Sequence, residues 1–99
     1  MQSLTVTDDA WADVTAARQF YRAREAWVAD YFLETFLTEA EALTRFHGKH
    51  RKAHGFHKVK VGKFPFALYY RDAADEIVVV AVLDFRRNPS WLRQQLSKR

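Results

Sequence analysis

Along this chain of 99 residues the main change in the spacing of apolar positions falls near Gly48. From Asp8 to Phe46 apolar residues recur at helical intervals; from His57 to Leu83 they alternate or run together, as they do in strands. Leu4 and Val6 within SLTVT, residues 3–7, share one side of a predicted short N-terminal strand. Asp8 or Asp9 then offers an N-cap, and from there to Phe46 the chain contains neither Gly nor Pro. Trp11, Val14, Arg18 and Tyr21 fall on one helical face, and Val28, Phe32, Phe36, Ala40 and Leu43, flanked by Leu33 and Leu37, form a second stripe. A single helix over this stretch would be about 57 Å long, too long to pack on a domain of this size. The chain is therefore predicted to bend between Ala23 and Trp27 into an αα-hairpin. The aromatics at helical spacing, Trp11, Tyr21, Trp27, Phe32 and Phe36, are expected in the core.

The stretch from Gly48 to Gly55 reads as a basic surface connection. After it His57, Val59 and Val61 alternate with Lys58, Lys60 and Gly62, so one strand face is largely apolar and the other holds two ammonium groups about 7 Å apart. Gly62 and Lys63 make a turn, and Phe64, Phe66, Leu68 and Tyr70 line one face of the next strand, with Pro65 tolerated near its start. Asp72 to Glu76 is a polar hairpin connection. Ile77 to Leu83, IVVVAVL, is an unbroken apolar run, expected of a central strand covered on both faces. Asn88-Pro89 ends the sheet, with Pro89 suited to the first turn of a short helix through Trp91, Leu92 and Leu96. The predicted fold is α+β: an N-terminal strand, an αα-hairpin, a mainly antiparallel sheet of three further strands, and a short C-terminal helix, in one domain spanning residues 1–99.

Composition narrows the chemistry. With 48% hydrophobic residues the chain can build one core. There is no Cys, so disulfides and thiolate metal sites are excluded. No apolar run approaches a membrane span, and MQSLTVTDD lacks the features of a signal peptide, so a cytoplasmic protein without membrane contact is expected. Charge is segregated: net −5 over residues 1–41, +8 over 42–71, where no Asp or Glu occurs, and +1 over 72–99. Such a block favours a polyanionic or acidic partner over a neutral metabolite. His47, His50, His54 and His57 invite a metal, but with no carboxylate or thiolate in their segment neither a metal nor another cofactor is expected.

Phe64-Pro65-Phe66, then Tyr69-Tyr70, a hydrophobic strand, Arg86-Arg87-Asn88-Pro89 and Trp91, with Asp13 ahead of Phe20-Tyr21, form a pattern that resembles the RelE/ParE family of type II toxin–antitoxin toxins over nearly the whole chain. The resemblance implies the RelE/ParE-like fold and a bacterial growth-inhibiting toxin of the plasmid-stabilisation type, held by a cognate antitoxin, with a homodimer as a further assembly. The family has two activities. RelE-like members are ribosome-dependent mRNA endonucleases, and for that chemistry the matching positions are Lys58, Lys60, Arg86 and Arg87, with His57 as the candidate proton donor. This chain departs from that branch at Ala67, where an arginine is expected, and around Ser90 to Arg93, where the tyrosine is missing. ParE-like members bind and poison DNA gyrase, which requires a surface and no acid–base pair; the RRNP ending followed by Trp91 favours this branch. Its target-binding residues would be Lys58, Lys60, Arg86, Arg87 and Trp91. An inactive or stand-alone family member is the remaining alternative. Plainer readings exist for the same residues: Lys58 and Lys60 as the solvated face of an edge strand, Arg86 and Arg87 as partners of Asp84.

Overall fold

The computed structural model describes residues 2–99, so that Met1, the first residue of the stretch read for a leader, lies outside the described residues. The elements run β1 (Ser3–Val6), α1 (Asp8–Arg22), α2 (Ala26–Phe46), β2 (Lys52–Ala53), β3 (Phe56–Lys60), β4 (Phe66–Ala73), β5 (Glu76–Asp84) and α3 (Pro89–Ser97). The strands form one sheet in the order β1-β5-β4-β3-β2, antiparallel except for β1, which pairs parallel with β5. The α+β class and the hairpin are as expected. The helices break at Ala23 to Glu25, where Ala23 still closes the last turn of α1 by donating its N–H to the Gln19 carbonyl. Two details differ from the sequence reading. The N-cap is Thr7, whose hydroxyl accepts from the Ala10 N–H, because Asp8 and Asp9 already lie in the first turn, where their charge suits the helix dipole. The Gly48–Gly55 stretch is also more than a connection: Lys52 and Ala53 pair with His57 and Phe56, so four strands follow the hairpin rather than three.

β5 is the axis of the molecule. Its residues Ile77 to Leu83 are all buried, with the helical hairpin on one face and α3 on the other. Side-chain alternation slips at Val80, where a bulge leaves Val80 and Ala81 both on the α3 side and returns Val82 to the hairpin side. On the hairpin side Ala10, Val14 and Ala17 of α1 and Phe32, Phe36, Ala40 and Leu43 of α2 cover Leu68, Tyr70, Ile77 and Val79. Phe32 meets Phe64 and Phe66 edge to face at 5.0 and 5.3 Å, so the Phe-Pro-Phe segment is a core feature. Gly62 (φ +53°) lets the β3–β4 turn pass close under α2; a Cβ there would lie 2.6 Å from Thr35 Cγ2. The aromatic stripe expected in the core is only partly there. Phe32 and Phe36 are buried and Tyr21 is half-buried, while Trp11 and Trp27 are 40% and 64% exposed, because Trp11 lies at the margin of the α1 face formed by Ala10, Val14 and Ala17 and Trp27 stands about 140° round α2 from Phe32.

The second layer is thinner. Asn88 caps α3 by accepting from the Ser90 N–H, Pro89 fills the first turn, and Leu92 and Leu96 close over Tyr69, Val78, Val80 and Leu83. A polar clasp fastens its far end. Asp13 accepts from the Val82 N–H at 3.0 Å and from Arg99 Nη1 at 2.8 Å, while Arg99 also donates to the Val80 carbonyl at 2.8 Å. These groups satisfy the Val80 carbonyl and the Val82 N–H on the β5 edge just past the end of β1.

A second polar network fastens the basic loop. The Gly48 N–H donates to Tyr70 Oη at 2.9 Å, which leaves the phenol proton for His50 Nδ1 at 2.7 Å. His57 donates Nδ1–H to the His50 carbonyl at 2.8 Å and stacks on the Tyr70 ring, and His47 Nδ1 meets Asp72 at 2.6 Å. In this arrangement His50 is an acceptor and therefore neutral. Burial, with His57 adding to it, holds His50 below the usual imidazole range.

Two outcomes are expected from these networks. Asp13→Ala strands both the Val82 N–H and the Arg99 guanidinium and should lower unfolding stability by about 2–3 kcal/mol in urea titrations; a loss under about 0.5 kcal/mol would show the clasp to be ornamental. For His50 the folded pKa lies below the unfolded one, so its contribution is complete above about pH 6.5 and is lost as pH falls through that value. The melting temperature of the wild type should therefore decline below about pH 6.5 more steeply than that of His50→Gln, and parallel curves would rule out this link.

Candidate target-binding face

The candidate residues come together through the alternation of β3. Lys58 and Lys60 point to the α3 side of the sheet, where Lys58 Nζ sits 4.8 Å and Lys60 Nζ 5.9 Å from the centroid of Phe85. Two residues further on, the Arg87 guanidinium lies 3.9 Å over the Trp91 ring. Lys58, Lys60, Arg87 and Trp91 thus form one patch in which each cation rests on an aromatic face, an arrangement that neutral packing alone would not require. Phe85 is the member that sequence reading missed. Its signal was available in its position between the apolar run and the Arg-Arg pair, but nothing in that position says which way the ring turns after β5 ends.

Arg86 behaves differently. It donates Nε and Nη2 to the two carboxylate oxygens of Asp84 at 3.1 and 2.8 Å, and its backbone N–H also bonds Asp84. These bonds hold the Asp84 carboxyl below the ordinary carboxylate range, despite the opposing effect of burial. The plainer reading holds for Arg86, whose charge is spent within the chain, and not for Arg87, which forms no ion pair among the described residues.

His57 is not part of the patch. As the neighbour of Lys58 in a strand it points to the opposite face, where its ring stacks on Tyr70 with centroids 4.9 Å apart. The structure therefore does not assemble a histidine with Lys58, Lys60 and Arg87. The role as proton donor among those cations meets a geometric obstacle, since a general acid must come within hydrogen-bond reach of the leaving oxygen. Ala67, cross-strand partner of Lys60, is fully buried.

Beside the patch a groove of about 410 Å³ runs between α1 and α3, with Ala16 and Phe20 on one wall, Arg87 and Trp91 on the other, and Val82 to Asp84 as its floor. The floor is a strand edge that β1 does not reach. Because the Phe85 N–H donates to the Pro65 carbonyl, Val82 and Asp84 occupy the ladder positions whose backbone groups point away from β4. Asp13 takes the Val82 N–H, but the Val82 carbonyl and the Asp84 N–H have no partner among the described residues. Val82 is only 1% exposed, so its carbonyl is an unsatisfied, nearly buried acceptor.

Comparison with known proteins bears on the fold and the family. No curated protein matches the sequence. Among solved structures, a chain described as the chromosomal ParDE TA system from P. aeruginosa superposes with a TM-score of 0.73 at 22% identity, covering 83% of this chain and 94% of that one. At that identity the likeness concerns the fold: the mixed sheet, the helical hairpin and the C-terminal helix. The sequence model of the family described as "ParE toxin of type II toxin-antitoxin system, parDE" matches residues 4–89, from the first strand through the Arg-Arg-Asn-Pro segment. On that match, which spans most of the sheet, the hairpin and Lys58, Lys60 and Arg87 of the patch, the chain belongs to the ParE toxin family of type II toxin–antitoxin systems.

Proposed function

We propose that this ParE-family chain inhibits growth by binding DNA gyrase and trapping its cleavage complex, and that the patch of Lys58, Lys60, Arg87 and Trp91 is the surface that meets the target. The observation that carries the reading is the separation of His57 from that patch. Cations resting on aromatic rings provide a recognition surface, while His57, the candidate proton donor, stacks on Tyr70 on the opposite face of the sheet. The endonuclease alternative needs such a group, and the missing tyrosine around Ser90 to Arg93 leaves it unfilled. Arg86, already paired with Asp84, shapes the turn that presents Arg87.

The cognate antitoxin is the second partner. An extended antitoxin segment fits the groove between α1 and α3, offering an N–H to the Val82 carbonyl and a carbonyl to the Asp84 N–H by strand addition. Such pairing would satisfy the nearly buried Val82 carbonyl, and the adjoining cations suit an acidic chain.

Lys60→Ala with Arg87→Ala should leave the fold within about 0.5 kcal/mol of wild type, because exposed cations contribute little to stability. Growth inhibition and the yield of gyrase–DNA cleavage complexes should both fall at least about tenfold, the loss expected where interface charges are removed. His57→Gln should keep both and produce no change in mRNA ends on ribosomes; cleavage of mRNA by the wild type that disappears in this variant would establish the endonuclease instead. For the antitoxin, Ala16→Arg places a long cation across the groove. Cells carrying it should remain growth-inhibited when the antitoxin is co-expressed, with the purified pair no longer co-eluting, whereas full neutralisation would move the antitoxin's site elsewhere.

A further inference from the structure

The cations of residues 42–71 are not distributed as a solvated surface would have them. Continuing the β2–β3 register by one step places Arg51 directly opposite Lys58, and the Lys58 N–H does donate to the Arg51 carbonyl at 2.9 Å. Cross-strand partners share a face, so Arg51 and Lys58 are like charges side by side, with Lys60 about 7 Å further along the same strand. Opposed like charges destabilise a sheet. Neither Arg51, Lys58, Lys60 nor Arg87 has a carboxylate partner among the described residues, and the acids of the chain lie mostly in the hairpin before residue 42. A row of uncompensated positive charge along one strand edge is complementary to a partner with regularly repeated negative charge.

The aromatic residues identify which polyanion. Single strands are held by bases stacking on open rings. Here Phe85 lies under Lys58 and Lys60 and Trp91 under Arg87, so the rings next to the cations are covered by the cations themselves. The large exposed aromatics, Trp11, Phe20, Trp27, Tyr31 and Phe46, belong to α1 and α2 instead. Along Arg51, Lys58 and Lys60 what remains is a strip that can contact phosphates and whose neighbouring ring, Phe85, lies beneath the ammonium groups, the character of a duplex-backbone contact.

We propose that Arg51, Lys58, Lys60 and Arg87 form a contact for the phosphate backbone of double-stranded DNA. This assigns a role to Arg51, on the added strand edge beside β2, and it deepens the reading of Lys58, Lys60 and Arg87 as a target-facing surface: the toxin would grip DNA as well as the protein that holds it. The strip binds without sequence preference, and the like-charge repulsion within it is relieved when phosphates replace condensed counterions.

The test is the salt dependence of binding by the purified chain to a short blunt duplex of mixed sequence, followed by fluorescence anisotropy between about 50 and 200 mM salt. Four phosphate contacts predict a log–log slope of about −3.6, and the combined Arg51→Gln, Lys58→Gln, Lys60→Gln variant should lose about 2.7 of that slope. Its melting temperature should stay level or rise, since the repulsion is gone. Arg22→Gln with Arg24→Gln, on the hairpin, should leave the slope unchanged. A triple variant with the wild-type slope overturns the proposal, as does tighter binding to single-stranded RNA or stronger competition by polyglutamate than by the duplex. Gyrase–DNA cleavage complexes, assayed with the same variants, separate the two claims. Lost complexes with an unaltered slope leave gyrase poisoning standing and remove the DNA contact. An altered slope, with no complexes from the wild type, does the reverse.

Discussion

Burial of β5 on both faces is the constraint from which the rest of this structure follows. A strand apolar on one side needs one covering layer; Ile77 to Leu83 need two. The helical hairpin supplies the first with large aromatic and aliphatic side chains. The second falls to a helix of nine residues that reaches the sheet with only Leu92 and Leu96, helped by Trp91. So thin a layer depends on anchoring at both ends, by the Asn88 cap at its start and by the Asp13–Arg99 clasp at its finish. The bulge at Val80 has the same origin. It lets one strand satisfy two layers whose side chains are out of phase, and it turns the last residues of β5 toward the groove.

The proposed binding surfaces sit where this arrangement is incomplete. β1 stops at Val6, so the last third of β5 has an edge without a strand partner, where Asp13 takes the Val82 N–H and Arg99 the Val80 carbonyl. On the far side of the sheet β3 and β2 end the pairing with a strip of cations. Edge lysines protect against aggregation, but an arginine set directly across from a lysine does more than protection needs, and at a cost in stability. Active surfaces commonly keep such local penalties because the partner relieves them. The cation–aromatic pairs on Phe85 and Trp91 hold the charged groups in fixed places, which a flexible solvated lysine would not achieve.

Much of the fold was legible in the chain because the signals were local. The change of period near Gly48, the doubly covered strand and the proline-initiated last helix each follow from residue type and spacing over a few positions, and the break between the helices follows from the length of the stretch. The Phe-Pro-Phe, Tyr-Tyr and Arg-Arg-Asn-Pro segments carried the family. Less legible were contacts between groups far apart in sequence. The pairing of Asp13 with Val82 and Arg99 spans most of the chain, and the two-residue strand Lys52–Ala53 has no apolar alternation to reveal it.

Sequence by itself determined which residues are apolar and at what period they recur, and therefore the elements, their order and the uneven placing of charge, since these depend on covalent geometry and composition. Only the tertiary structure decided which exposed group has a partner. Arg86 and Arg87 are adjacent and chemically identical, yet one is held by Asp84 and the other rests free on Trp91. His57 and Lys58 are adjacent too, but the pleat sends one to the hairpin layer and the other to the cationic face. Trp11 and Phe36 belong to different helices and meet edge to face, yet the first is exposed and the second is buried. Sidedness, pairing and cover are properties of the assembled layers, and neighbours in the chain do not share them.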